Sequence, residues 1–401
     1  MRRVYLDNNA TTPVLPAVLQ AMQPYFAGHF GNASSIHHHG QETRAAVERA
    51  RESVAILVGC RASEIVFTSG GTEGDNLAIF GLLNSGLLRS GLVRQGGHVI
   101  SSTIEHHAVL NSCKQLEAEG CSVTYIQCDE RGLIDPDAVR CAIRPNTRLI
   151  TIMMANNETG VLQPVEAIGK IAAEADVYFH TDAVQAAGKV AIDVSAIGCD
   201  LLSISGHKMH APQGVGALYV RKGTRLQPLF HGGRHERSRR AGTENVPGIV
   251  GLGKAAELAK EGLETGEVRR MADLRDRLES SLLGKVEFCG LNGAGAPRVP
   301  NTTNIYFDHV EGEPLVIALD LKGLAVSTGA ACSSGALEPS HVLTAMGLNG
   351  DRARGSIRFS LGKQNSSEDV DFALNLIPET INRLRELSPV YNGKKLLAAS
   401  S

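Results

Sequence analysis

No apolar run in this chain is long enough to span a bilayer. The N-terminus begins Met1-Arg2-Arg3-Val4, but Asp7, Asn8 and Asn9 follow at once, leaving no room for the hydrophobic region of a signal peptide. Charge of one sign is also lacking. A formal net charge of −2 removes the electrostatic case for nucleic acid or an acidic membrane surface as partner. The eight cysteines, at 60, 113, 121, 128, 141, 199, 289 and 332, contain no CxxC pair, so neither a zinc site nor a dithiol redox motif is indicated. The run His37-His38-His39 tempts towards a metal. Three adjacent histidines cannot share a helical face and no matching ligands are evident, so no metal is expected. Together these absences predict a cytoplasmic protein with free thiols.

What is present is an alternation. Across residues 64–220, short β-rich runs at 64–68, 99–102, 122–126, 148–154, 177–180, 201–205 and 216–220 are mostly separated by helical stretches such as 108–119 and 164–175. Several runs are nearly continuously apolar, as strands covered on both faces are. The pattern predicts an α/β domain around a largely parallel, seven-stranded sheet. After Pro247 the character changes. Helices at 248–263 and 267–283 are followed by short elements at 304–307, 314–321, 356–360 and 366–385, which predict a smaller α+β domain. The expected division is a large domain over 15–257 and a small domain made of 1–14 and 258–401.

The polar clusters of the first domain follow the ends of its apolar runs. These are Glu105-His106-His107, Asn156-Asn157-Glu158, Asp182 with Gln185, and His207-Lys208. In open α/β sheets ligands bind outside the carboxyl ends of the strands, so the clusters describe one pocket. Lys208 is the most informative member. A lysine at the end of a buried strand loses charge by desolvation, and a neutral amine forms Schiff bases. An isolated Gly-His-Lys would read as a solvated strand end; its company overturns that. The segment 69–74, Ser-Gly-Gly-Thr-Glu-Gly, opens a helix and suits a phosphate. It is neither a Walker loop nor a GxGxxG fingerprint. Asp182 is a candidate partner for a pyridinium nitrogen, against the plainer reading as a helix cap. His106 can stack on a ring or move protons near it. Arg358, in Ser356-Ile357-Arg358-Phe359-Ser360, is either paired internally or offered to a carboxylate. Cys332 sits at the centre of a small-residue loop over 327–336, where an exposed thiol is a liability unless its reactivity is used.

The chain resembles the cysteine desulfurases of the NifS/IscS type, fold-type I, class V pyridoxal 5'-phosphate (PLP) enzymes. The likeness runs nearly end to end. It begins with Tyr5-Leu6-Asp7-Asn8-Asn9-Ala10-Thr11-Thr12-Pro13 and continues through Phe67-Thr68-Ser69-Gly70-Gly71-Thr72-Glu73, Asn156-Asn157-Glu158-Thr159-Gly160 and His180-Thr181-Asp182-Ala183-Val184-Gln185. Ser205-Gly206-His207-Lys208, Arg240-Ala241-Gly242-Thr243-Glu244-Asn245, the Cys332 loop and Ile357-Arg358-Phe359-Ser360 complete it. Its nitrogen-fixation subgroup is the closer likeness. The resemblance implies a sheet-based large domain with a smaller α+β domain, and Lys208 as the cofactor-anchoring lysine and proton shuttle. It implies that Gly71, Thr72, Ser205 and His207 hold the phosphate, that Asp182 pairs with the ring nitrogen, that Gln185 touches the ring hydroxyl and that His106 stacks on the ring. It further implies Asn157 and Arg358 as substrate-binding residues, with Asn157 also at the cofactor, and Cys332 as the nucleophile. Thr243 would reach the phosphate of a neighbouring subunit, making a homodimer. The implied substrate is L-cysteine, and the implied acceptor an iron–sulfur scaffold or other sulfur-accepting protein. Another class V activity, such as an aminotransferase or selenocysteine lyase, and a PLP-fold scaffold without turnover are the rival readings. Ala33, Gly74, Thr328 and Ala330 depart from the common pattern, but none removes a group the chemistry needs.

Overall fold

The computed structural model describes residues 2–84, 96–329 and 339–387. Among these, twelve strands form three sheets. They are β1 (Val4–Tyr5), β2 (Ile65–Thr68), β3 (His98–Ser102), β4 (Ser122–Ile126), β5 (Thr147–Thr151), β6 (Tyr178–Asp182), β7 (Leu201–Ser205), β8 (Gly216–Val220), β9 (Cys289–Leu291), β10 (Thr302–Phe307), β11 (Leu324–Ala325) and β12 (Ser356–Ser360).

The largest sheet has seven strands in the order β2-β8-β7-β6-β5-β3-β4. β3 to β7 pair in parallel, and β8 runs antiparallel to both β7 and β2. The side-chain period of two divides each strand between two cores. Ile65, Phe67, Ile100, Ile150, Phe179, Leu202 and Ala217 pack on one face. Val66, Val99, Leu149, Tyr178, Leu201 and Leu218 pack on the other, against the helices Gly71–Leu83 and His107–Ala118. Both faces are therefore dry, which is why the runs read as continuously apolar.

The expected strand at 148–154 is shorter, because the chain leaves the ladder at Ile152 and reaches an isolated bridge between Ala155 and Leu162. The expected strand at 177–180 extends instead to Asp182, which carries that carboxylate to the sheet edge.

A third apolar cluster joins Val4 and Leu6 to the helices Glu267–Lys285, Gly312–Leu321 and Ser367–Leu387 and to a sheet of β12, β10 and β9. β1 pairs in parallel with β11, and Asp7 continues to a bridge with Ser360. The N-terminal segment thus leaves this third core and crosses to the carboxyl edge of the large sheet. No helix among the described residues is long and apolar enough to cross a membrane.

Candidate active site

Lys208 ends a single 3-10 turn, Gly206–Lys208, directly after β7. It is half-buried, and its Nζ donates to the carbonyls of Asn9 at 2.5 Å and Ala10 at 2.7 Å. A solvated strand-end lysine would not be held this way. Asp182 ends the neighbouring strand β6, opposite Ser203. Its Oδ1 accepts from the Val184 N–H at 2.8 Å, so the cap-like contact is real. Burial lifts its pKa to about 6, against the opposing pull of that N–H and of the Lys208 cation.

The helix Gly71–Leu83 starts at the edge of β2 with no side chain capping its first turn, so its leading N–H groups are presented to an anion. A Cβ on Gly71 would lie 2.7 Å from Val184 Cγ2 and 3.6 Å from Ser205 Cβ. Only glycine lets this turn approach so closely. His207 stands beside Ser205 with Nδ1 at 3.2 Å from Thr11 Oγ1, and burial pushes its pKa down to about 4.

His106 caps the helix His107–Ala118, its Nδ1 accepting the Ala108 N–H at 3.1 Å. Burial, followed by the Lys208 charge and two neighbouring histidines, pushes its pKa down to about 4. The ring is neutral at ordinary pH and suited to stacking. With Thr72, Asn76, Phe80 and His107 it lines a cleft of about 400 Å³.

Arg358 is carried on β12 and is buried. Of the two readings left open by its sequence, the internal pairing is observed. Nη2 pairs with Asp7 Oδ1 at 2.7 Å and Nη1 donates to the Asn157 carbonyl at 2.9 Å. Its Nε is nevertheless buried without an acceptor, and Asn157 Oδ1 is likewise unpartnered. A buried donor without a partner costs about 1–3 kcal/mol, so an arrangement that keeps one is explained by a ligand that satisfies it. An arginine with its Nε edge open can bind a carboxylate.

Gln185 donates from Nε2 to the Asn9 carbonyl at 3.0 Å, and its Oε1 accepts from Lys189 at 2.8 Å. Thr243 is exposed in the loop before the helix Val246–Glu264, and no hydrogen bond among the described residues ties it to this group. Cys332 lies outside the described residues. The flanking positions are described. A Cβ built on Gly329 would lie 3.1 Å from Glu158 Oε2, and Ser340 Oγ donates to that oxygen at 2.5 Å.

Three residues, Asn9, Lys189 and Asp75, were not singled out by the sequence as parts of the site. Asn9 meets Lys208, Gln185 and Asn157. Lys189 is buried, and that burial lowers its pKa to about 7; a lysine inside Ala186-Ala187-Gly188-Lys189-Val190 was the available signal. Glu158, a member of the 156–158 cluster, lies against Gly329 and accepts from Ser340 Oγ. Asp75 is buried in the helix Gly71–Leu83 with Oδ1 lacking a hydrogen bond and His180 Nε2 at 3.6 Å.

Glu105 gives a direct test of this polar layer. Its Oε1 accepts from Ser102 Oγ at 2.5 Å and the Met153 N–H at 3.0 Å, while Oε2 has no partner. Burial pushes its pKa from 4.5 up to about 8. Across that interval the folded protein holds a proton that the unfolded chain has released, so this group makes stability fall as pH rises through it. Glu105→Gln cannot release a proton. Its melting temperature relative to the parent should therefore climb by about 2 °C or more between about pH 5 and about pH 8, as read by calorimetry. A pH-independent difference would contradict a neutral Glu105.

Comparison with known proteins agrees with the geometry. The family model described as aminotransferase class-V matches residues 4–372. The cysteine desulfurase IscS of Methanosarcina thermophila is 51% identical over 389 residues, covering 97% of this chain and 94% of the relative. A cysteine desulfurase of Nostoc sp. is also 51% identical, covering 98% of this chain and 96% of the relative. Among solved structures, a NifS-like protein superposes with a TM-score of 0.87 at 38% identity, covering 95% of this chain and 99% of that one. The structure of SspA in complex with cysteine superposes with a TM-score of 0.78 at 39% identity, covering 90% of this chain and 99% of that one.

Proposed function

The chain belongs to the class-V aminotransferase family of PLP-dependent, fold-type I enzymes, and from that membership we propose that it is a cysteine desulfurase acting on L-cysteine. The observation that carries the substrate is the pair of unpartnered buried groups, Arg358 Nε and Asn157 Oδ1. One suits a carboxylate and the other can accept from an ammonium, the two polar ends of a small amino acid. Their linkage to Lys208 through Asn9 supports a single site.

The residues present fit PLP. The uncapped helix start at Gly71 and Thr72, with Ser205 and His207 beside it, would hold the phosphate, and Asp182 would face the ring nitrogen. Gln185 would reach the ring hydroxyl, and neutral His106 would cover one ring face. A second copy of the chain would supply Thr243, making a homodimer. When bound, the cofactor supplies an electron sink for a carbanion at the substrate α-carbon.

The chain's own groups do the rest. Asp182, ionised above about pH 6, stabilises a protonated ring nitrogen. Arg358 and Asn157 orient the substrate. Lys208, with its amine free, would take the substrate α-proton and return protons to the carbon skeleton. The Cys332 thiolate attacks the substrate sulfur. An S–S bond forms, the C–S bond breaks, and its electron pair stays with the carbon that becomes the methyl of alanine. L-cysteine and the Cys332 thiol become L-alanine and a Cys332 persulfide, with no outside oxidant or reductant. The persulfide then passes its outer sulfur to an acceptor, which we read as an iron–sulfur cluster assembly protein, with the nitrogen-fixation likeness favouring a nitrogenase-related client in the cytoplasm. We also read the chain as a large domain over 15–257 and a small domain over 1–14 and 258–401, with the helix Val246–Glu264 spanning the join.

The test is direct. PLP-loaded protein given L-cysteine and a thiol reductant should yield alanine and sulfide in equal amounts. Formation of a keto acid in place of alanine would identify a transaminase, and no product would leave the scaffold reading.

A further inference from the structure

The motif Asp7-Asn8-Asn9-Ala10-Thr11-Thr12 carries the family likeness but has no part in the mechanism above. Its geometry is more specific than a linker needs. Asn9 is buried to 1% exposure, and every polar position of its side chain is used. Nδ2 donates to Thr302 Oγ1 at 2.9 Å and to the Asn157 carbonyl at 3.2 Å. Oδ1 accepts from Asn301 Nδ2 at 3.1 Å and Lys189 Nζ at 3.4 Å. Its backbone N–H donates to Ser360 Oγ at 2.9 Å. The residue is tied to both sheets at once: Thr302 and Ser360 lie on β10 and β12, Asn157 and Lys189 on loops at the edge of the large sheet.

With the side chain and N–H fixed, the Asn9 carbonyl has one place to be. It accepts from Gln185 Nε2 and Lys208 Nζ, and the Ala10 carbonyl takes a second proton of the same amine. A buried asparagine with all its bonds made is usually only structural. What distinguishes this one is that its partners are Lys208, Gln185 and Asn157, three residues assigned above to cofactor and substrate.

We propose that Asn9 is a positioning residue that builds the seat for the Lys208 amine when that amine is not bonded to the cofactor. The two carbonyls hold the amine at one point, so it meets the incoming aldehyde, and later the substrate, from a fixed direction. A misplacement of about 1 Å can cost about a hundredfold in rate. The inference rests on the reading of Lys208 as the anchor.

The experiment uses apoprotein and two probes. Pyridoxal 5'-phosphate reports the covalent step through the visible absorbance of the lysine-linked cofactor. Pyridoxine 5'-phosphate, which has no aldehyde, reports non-covalent binding alone. Asn9→Ala should slow the covalent step about tenfold or more while binding pyridoxine 5'-phosphate within about twofold of the parent, because Gly71, Ser205 and His207 are untouched. Thr302→Val, a milder change that removes one anchor of the Asn9 amide, should slow it by a smaller factor and serves if Asn9→Ala does not fold. A folded Asn9→Ala with the parental covalent rate would overturn the proposal. So would an equal loss in both probes, which is what general disruption gives. If Lys208→Ala retained the linked-cofactor absorbance, the reading of Lys208 would fail instead, and the parent protein alone decides whether cysteine is the substrate.

Discussion

Lys208→Ala will give a folded protein that binds PLP without the absorbance of a lysine-linked cofactor and turns over L-cysteine about a hundred- to ten-thousandfold more slowly. The structural reason is local. The Lys208 side chain is half-buried and is not one of the residues that build the hydrophobic core. The Asn9 carbonyl keeps its bond from Gln185, and the Ala10 carbonyl is left to water. The change removes the two hydrogen bonds that the amine donates, each worth about 1 kcal/mol. The chemistry loses far more, because the proton carrier at the substrate α-carbon is gone. Lys189 is the nearest alternative amine by connectivity, and burial lowers its pKa to about 7. It is tied to Gln185 and Asn9. Survival of the absorbance in Lys208→Ala would name another lysine and refute the assignment.

Cys332→Ala will separate cofactor chemistry from sulfur chemistry. The variant should keep the parental cofactor absorbance and its spectral response to L-cysteine, while alanine and sulfide production fall to background. The flanks of its segment support the role. Gly329 lies against Glu158, and its carbonyl is 3.5 Å from Arg358 Nη1. Gly329, three positions before Cys332 in the chain, thus stands beside the proposed carboxylate-binding arginine. No other thiol among the described residues is a ready substitute, and Cys121 is buried. Burial pushes the pKa of Cys60 and Cys113 up to about 12 and of Cys128 to about 11, and raises Cys199 and Cys289 as well. Protonated thiols are poor nucleophiles. Cys141 is exposed on the short helix Pro136–Ala142, at the amino side of β5 and away from the strand ends that carry the site. Parental alanine production by Cys332→Ala would end the persulfide reading.

Much of this was legible in the chain itself. Continuous apolar runs determined which segments became strands buried on both faces, and polar residues at their ends determined where a pocket would open. Lys208, Asp182, Asn157 and His106 are singled out as candidates that way, because a strand must stop burying itself where its ladder ends. Pairing was not legible. Nothing in residues 4–12 announces that Asn9 will meet Thr302, Asn157 and Lys208, since each contact spans more than a hundred positions and depends on how the N-terminal segment crosses between the sheets. The same holds for Arg358, whose local sequence left two readings equal. Only the folded chain, bringing Asp7 to one edge of the guanidinium and leaving Nε bare, makes it both an internal partner and an open donor. Local sequence sets propensity and burial. Which buried polar atoms are satisfied is decided by contacts between distant segments, and those exist only after the chain has folded.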